Sequence, residues 1–139
     1  MATKFKGYLL KFGDQVFPNQ YLSFDNNTST PNQRTEIDAY RDGNNLLHRQ
    51  TSPNYKTKLE YTIKEGLTLE QKIEWQNIVK SGLVNAQQRK YQVTYWNDEI
   101  NDYKTMTAYI PDTEYPIQRI DQKSGTIYYQ SVRLALIEY

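Results

Sequence analysis

The sequence predicts a mainly β protein: two packed antiparallel sheets, as a sandwich or open barrel, with one flanking α-helix and an extended arm. Three observations carry this expectation. Residue usage is that of a sheet, with 13 Tyr among 139 residues, frequent Thr, Asn and Gln, and little Ala or Gly. One segment alternates strictly between apolar and polar residues. The order of elements is strands, one helix, then strands again with short reversals, which favours antiparallel pairing over a parallel α/β layout.

Taken along the chain, Gly7 to Phe12 is an apolar run stopped at Gly13-Asp14, and Val16-Phe17 precede Pro18. Tyr21 to Phe24 reads as a short second strand. From Tyr55 to Lys64 the residues Tyr55, Thr57, Leu59, Tyr61 and Ile63 face one way and Lys56, Lys58, Glu60, Thr62 and Lys64 the other. That pattern describes a strand with one face on a core and one in water. A helix over about 68–81 starts at the capping box Thr68–Gln71 and stops at Gly82. Glu70, Glu74, Asn77 and Ser81 form its polar stripe, with Trp75 and Val79 seating it on the sheet.

Two hairpins follow. Lys90 to Trp96 and Tyr103 to Ile110 flank the polar turn Asn97 to Asp102; Tyr115 to Asp121 and Thr126 to Glu138 flank Lys123-Ser124-Gly125. The closing VRLALIEY is the most apolar segment and is expected to be a central strand. The core is expected to hold Leu59, Tyr61, Ile63, Ile73, Val93, Leu134 and Leu136. The length suits a single domain over 1–139, with no linker to divide it.

The stretch over about 25–53 stands apart. It is rich in Asn, Ser and Thr, mixes Arg34, Arg41 and Arg49 with Glu36, Asp38 and Asp42, and holds the turn signal Asp42-Gly43. It reads either as a solvated loop or as an arm, part of it extended or hairpin-like, that docks on another chain. In the second reading Arg34, Ile37, Asp38, Tyr40, Arg41, Leu46 and Leu47 are the interface residues, with Ile37, Leu46 and Leu47 as apolar anchors. The abundant Tyr has the same two accounts, strand propensity or surface buried against other chains.

Composition and motifs strip away most other functions. Lys plus Arg total 17 against 16 Asp plus Glu, so nothing marks a nucleic-acid binder. No apolar run approaches a membrane span, and the opening residues lack a signal-peptide core, so no membrane partner is expected. Absence of Cys excludes a disulfide framework, a thiolate metal site and a Cys nucleophile. His48 is the sole histidine and no nucleophile-elbow sequence accompanies it, so no catalytic residue is assigned. The Asn97–Asp102 turn lacks the Gly and distal Glu of a calcium loop, and no phosphate-cradling loop occurs. Neither metal nor cofactor is expected.

Several segments together carry a resemblance. They are the opening YLLKF at Tyr8–Phe12, Arg34 with Tyr40-Arg41-Asp42-Gly43, KLEYTI at Lys58–Ile63, Leu67-Thr68-Leu69-Glu70, and YQVTYWND at Tyr91–Asp98. This layout resembles small uncharacterised tail-region proteins of phages and prophages of Gram-positive bacteria, and through them the tail-tube and baseplate-hub fold. The resemblance implies a non-enzymatic virion structural protein of the tail or baseplate. Its partners would be itself, as a ring homo-oligomer, and other tail proteins, assembled in the host cytoplasm. A sugar-binding β-sandwich is the alternative, with Tyr95, Trp96, Tyr103 and Tyr109 as stacking platforms.

Overall fold

In a computed structural model the described residues are 4–139, with side chains described except at 25–26, 34–37 and 52–55. The chain runs β1 (Leu10–Phe12), β2 (Gln15–Val16), a 3-10 turn at Asn19–Tyr21, β3 (Leu22–Arg41), β4 (Leu47–Ile63), β5 (Leu67–Thr68) and helix α1 (Leu69–Lys80). It continues with β6 (Leu83–Asn85), β7 (Lys90–Asn97), β8 (Asp102–Tyr109), β9 (Ile117–Asp121), β10 (Thr126–Tyr129) and β11 (Val132–Glu138). All pairing is antiparallel. The larger sheet has the order β2-β1-β7-β8-β11-β4-β3, with β6 on β7; the smaller has the order β5-β10-β9.

One continuous core joins the two sheets and the helix. Leu10, Phe12, Leu59, Ile63, Val93, Leu134 and Leu136 from the larger sheet pack in one cluster with Leu67 of β5 and with Trp75 and Val79 of α1. The alternation of β4 is realised where side chains are described: Thr57, Leu59, Tyr61 and Ile63 are buried and their even-numbered neighbours are not, while the Tyr55 side chain lies outside the described residues. Burial pushes the Tyr61 hydroxyl up to about 12, with the nearby Asp98 charge adding to the effect. β11 lies between β8 and β4, as its apolar sequence requires.

Thr68 caps α1, and Gln71 closes the capping box. Ile73 departs from expectation, for it is 46% exposed. Two residues of helix rotate a side chain by about 200°, so a helix seated through Trp75 and Val79 turns Ile73 into the face shared by Glu70, Glu74 and Asn77. The helix end is held by close backbone approach. Gly82 accepts from the Gln92 amide at 2.7 Å, and a Cβ there would meet the Gln92 carbonyl at 2.7 Å. Gly13, at φ +57, faces the Ser81 carbonyl in the same way.

Two elements differ from their sequence reading. The strand read at Tyr21–Phe24 begins at Leu22 and continues for 20 residues, because its polar part is held by ladder bonds to β4 rather than by burial. Its register slips at several points, between Ser23 and Thr28 and between Thr30 and Gln33 among them. Such bulges erase the period of two by which a strand is read. The segment Thr126–Glu138 is two strands, since the chain leaves the smaller sheet after Tyr129 and enters the larger at Val132.

Candidate functional site: the projecting hairpin

β3 and β4 form a long ribbon whose inner end belongs to the core and whose outer end does not. From Gln33↔Lys56 outward the pairs reach Ala39↔Arg49, Tyr40↔His48 and Arg41↔Leu47. Every residue described for burial from 38 to 51 is exposed except Asp42. Asp42 organises the turn, as Asp does where backbone donors converge. Its Oδ1 accepts the amides of Asn44 at 2.9 Å and Leu46 at 3.1 Å, while its Oδ2 lies 2.8 Å from His48 Nε2. These contacts, His48 first and the Leu46 amide next, hold the Asp42 carboxyl below its ordinary value of 3.8. Arg41 donates to the Asn45 carbonyl at 3.0 Å, and Asn45 takes the left-handed φ of 64° that the turn needs.

The tip is thus a preformed shape. The Tyr40 ring stacks on His48 with centroids 4.8 Å apart and planes at 11°. Tyr40, Leu46 and Leu47 are 58%, 61% and 49% exposed, three large side chains in water beside Asp38, Arg41 and Arg49. A depression of about 240 Å³ is lined by Asp38, Tyr40, His48, Arg49 and Gln50. The tip presents exposed apolar side chains on a hydrogen-bonded polar frame, features common to docking surfaces.

The ribbon is anchored at its base by a buried polar chain. The Asn32 amide donates to Thr57 Oγ1 at 3.2 Å, Thr57 Oγ1 and the Tyr95 hydroxyl share a hydrogen bond of 2.9 Å, and Asn97 Nδ2 donates to the Tyr95 hydroxyl at 3.4 Å. Thr57, Tyr95 and Asn97 are all buried. Glu138 accepts the Thr57 amide at 2.9 Å, and Asn27 accepts that of Thr62 at 2.9 Å.

Of the residues singled out from sequence, Asp38, Tyr40, Arg41, Leu46 and Leu47 come together at the tip. The side chains of Arg34 and Ile37 lie outside the described residues; their backbone runs in β3. Sequence reasoning left His48 out of the set. The turn signal Asp42-Gly43 alone would set Asn45 across from Tyr40; the longer loop 42–46 sets His48 there instead. The aromatic platform of the sugar-binding alternative does not assemble. Tyr95 is wholly buried, and Trp96 packs edge-on against both Tyr103 and Phe5, with Phe5 stacked on Tyr103. Tyr109 packs against Tyr139 instead. In the Asn97–Asp102 turn Asn97 is buried and accepts the Glu99 amide, and among the described residues no group of three His, Asp or Glu is placed to hold a metal ion. Among them, too, no helix is long and apolar enough to cross a membrane.

The chain is thus a curled antiparallel sheet with a second small sheet, one helix and a projecting hairpin. The chain superposes on one from the tail of an empty GTA particle, determined with helical refinement and C6 symmetry, at a TM-score of 0.51. The match covers 99% of this chain and 95% of that one at 10% identity, so the two share a fold. The protein itself belongs to DUF6711, a family of unknown function, which it matches over residues 1–139. No curated protein matches its sequence.

Proposed function

We propose that this protein is a non-enzymatic structural subunit of a phage-type tail or baseplate, acting by assembly with copies of itself and with other tail proteins. The observation that carries the proposal is the fold shared end to end with a chain of a sixfold tail. The hairpin gives the assembly its means. It projects Tyr40, Leu46 and Leu47 as anchors, with Arg34, Ile37, Asp38 and Arg41 beside them in the ribbon, and charges of both signs fix register more than they add affinity. A surface on one subunit meeting a different surface on the next makes a ring when the rotation closes. The protein then resides in the virion tail and is assembled in the host cytoplasm.

The register of β3 on β4 defines the test. Gln33 pairs with Lys56, so residues 34–55 are replaced by Asn-Gly, a turn suited to a two-residue hairpin. Light scattering and electron microscopy then compare this protein with the wild type. Rings or particle incorporation by the wild type, and a folded monomer from the shortened chain, are expected. A wild type that stays monomeric at every concentration and never enters particles overturns the proposal.

A further inference from the structure

The larger sheet has a gap. β11 pairs with β4 along six residues, Val132 to Ile137, but with β8 only at Ile137↔Tyr109 and Glu138↔Ala108. The Tyr139 amide donates to the Thr107 carbonyl at 2.9 Å, in the same register. In an antiparallel ladder the backbone groups of alternate residues point to alternate sides. The bond at Tyr139 therefore aims the N–H and C=O groups of Arg133 and Ala135 toward the β8 side as well. No strand meets them there among the described residues.

The sequence explains why β8 stops. If its register continued, position 111 would lie opposite Ala135 at a pair that exchanges hydrogen bonds. Residue 111 is Pro, which has no N–H to give. The chain instead arches outward through Asp112 and Glu114 and returns at Pro116, whose carbonyl accepts the Gln130 amide at 2.9 Å. Between this arch and β11 lies a groove of about 340 Å³, and the β11-side residues that line it are Ser131, Arg133 and Ala135. These are the positions whose backbone the ladder aims into it. The arch side carries Asp112, ion-paired with Arg89 at 2.8 Å, and Glu114; across the groove Arg133 is paired with Glu60 at 2.7 Å.

We propose that this groove receives the hairpin of a second copy of the protein, whose β3 adds to the open edge of β11 as a strand. The inference rests on the assembly reading above and names the surface on which the arm lands. Three features of the hairpin fit. β3 ends the sheet order, so its outer edge is a row of backbone donors and acceptors seeking a strand. Its exposed Arg41 and Arg49 bring positive charge toward Glu114 of the arch. Its reach is sufficient: β4 beyond Thr57 extends about 30 Å at roughly 3.3 Å per residue, against a radius of gyration of about 14 Å for a globule of this size. Arm and groove are different surfaces of one chain, so the contact is head-to-tail, the kind that closes into rings.

The experiment is amide hydrogen exchange of the 130–137 segment in the wild-type protein, read as a function of concentration alongside its mass. In the monomer the amides of Val132, Leu134 and Leu136 exchange slowly through their bonds to β4, and those of Arg133 and Ala135 exchange fast. On assembly the fast pair is expected to slow at least tenfold. The protein with residues 34–55 replaced should keep them fast at every concentration. Glu114→Lys, a change at an exposed side chain, should raise the concentration needed for assembly about tenfold without altering the melting temperature. Assembly that leaves Arg133 and Ala135 fast overturns the groove while the assembly reading stands. Slowing that persists in the shortened protein overturns the arm as occupant. A wild type that never self-associates overturns both.

Discussion

The hydroxyl of Tyr95 offers the sharpest test of how the hairpin is held. Tyr95 is fully buried, and its hydroxyl meets Thr57 Oγ1 at 2.9 Å and accepts from Asn97 Nδ2 at 3.4 Å. Thr57 Oγ1 in turn accepts the Asn32 amide, so the chain of bonds runs from the β7 end to the root of the arm. Tyr95→Phe keeps the ring and removes one oxygen, leaving the Asn97 amide group and the Thr57 hydroxyl each short of a partner in a site closed to water. A buried polar group deprived of its partner costs about 1–3 kcal/mol. With an unfolding entropy of about 2.1 cal/mol/K per residue, that loss lowers the melting temperature of a chain this long by about 3–10 °C. Thermal melting of Tyr95→Phe, Thr57→Val and the double variant completes the assay. The two residues are expected to couple by about 0.5–3 kcal/mol, so the double variant loses less than the sum of the singles. An unchanged melting curve for Tyr95→Phe, or strict additivity, would refute the reasoning.

Other consequences concern the helix, a close approach and the tip. Val79→Asp puts a charge under α1 and should cost about 2–5 kcal/mol, while Asn77→Asp on the wet face should stay within about 0.5 kcal/mol; chemical denaturation separates them. Gly82→Ala drives a Cβ to 2.7 Å from the Gln92 carbonyl and should cost about 1–3 kcal/mol, whereas Gly43→Ala, with open space around it, should melt like the wild type. The Asp42 carboxyl is held below its ordinary 3.8, so its contribution is present above that value and is lost as pH falls through the lower folded value. The Asn44 and Leu46 amides should therefore lose protection in acid before the core melts, as two-dimensional NMR would record; protection retained to the global transition contradicts the turn geometry.

How much of this was legible in the sequence depends on how local each cause is. The burial face of β4, the capped start of α1, the Asn97–Asp102 reversal and the turn at Asp42-Gly43 each follow from a few adjacent residues. Periodicity, caps and turn chemistry act over one or two turns of chain, and the sequence therefore determined them by itself. Ile73 shows the limit: its apolar side chain suggested burial, but the seating of Trp75 and Val79 on a sheet built largely from distant strands turned it to water. The long polar stretch of β3 was legible only in part: Thr35, Ile37 and Ala39 alternate with charged neighbours, but register slips from Ser23 to Asp38 break the period elsewhere. The groove beside β11 was further out of sight. Pro111 could be read as the end of β8, yet the open backbone of Arg133 and Ala135 exists only once β11 is placed between β8 and β4. Only the tertiary structure decided that, since a missing hydrogen-bond partner is a relation between strands far apart in sequence, and no single stretch of chain encodes it.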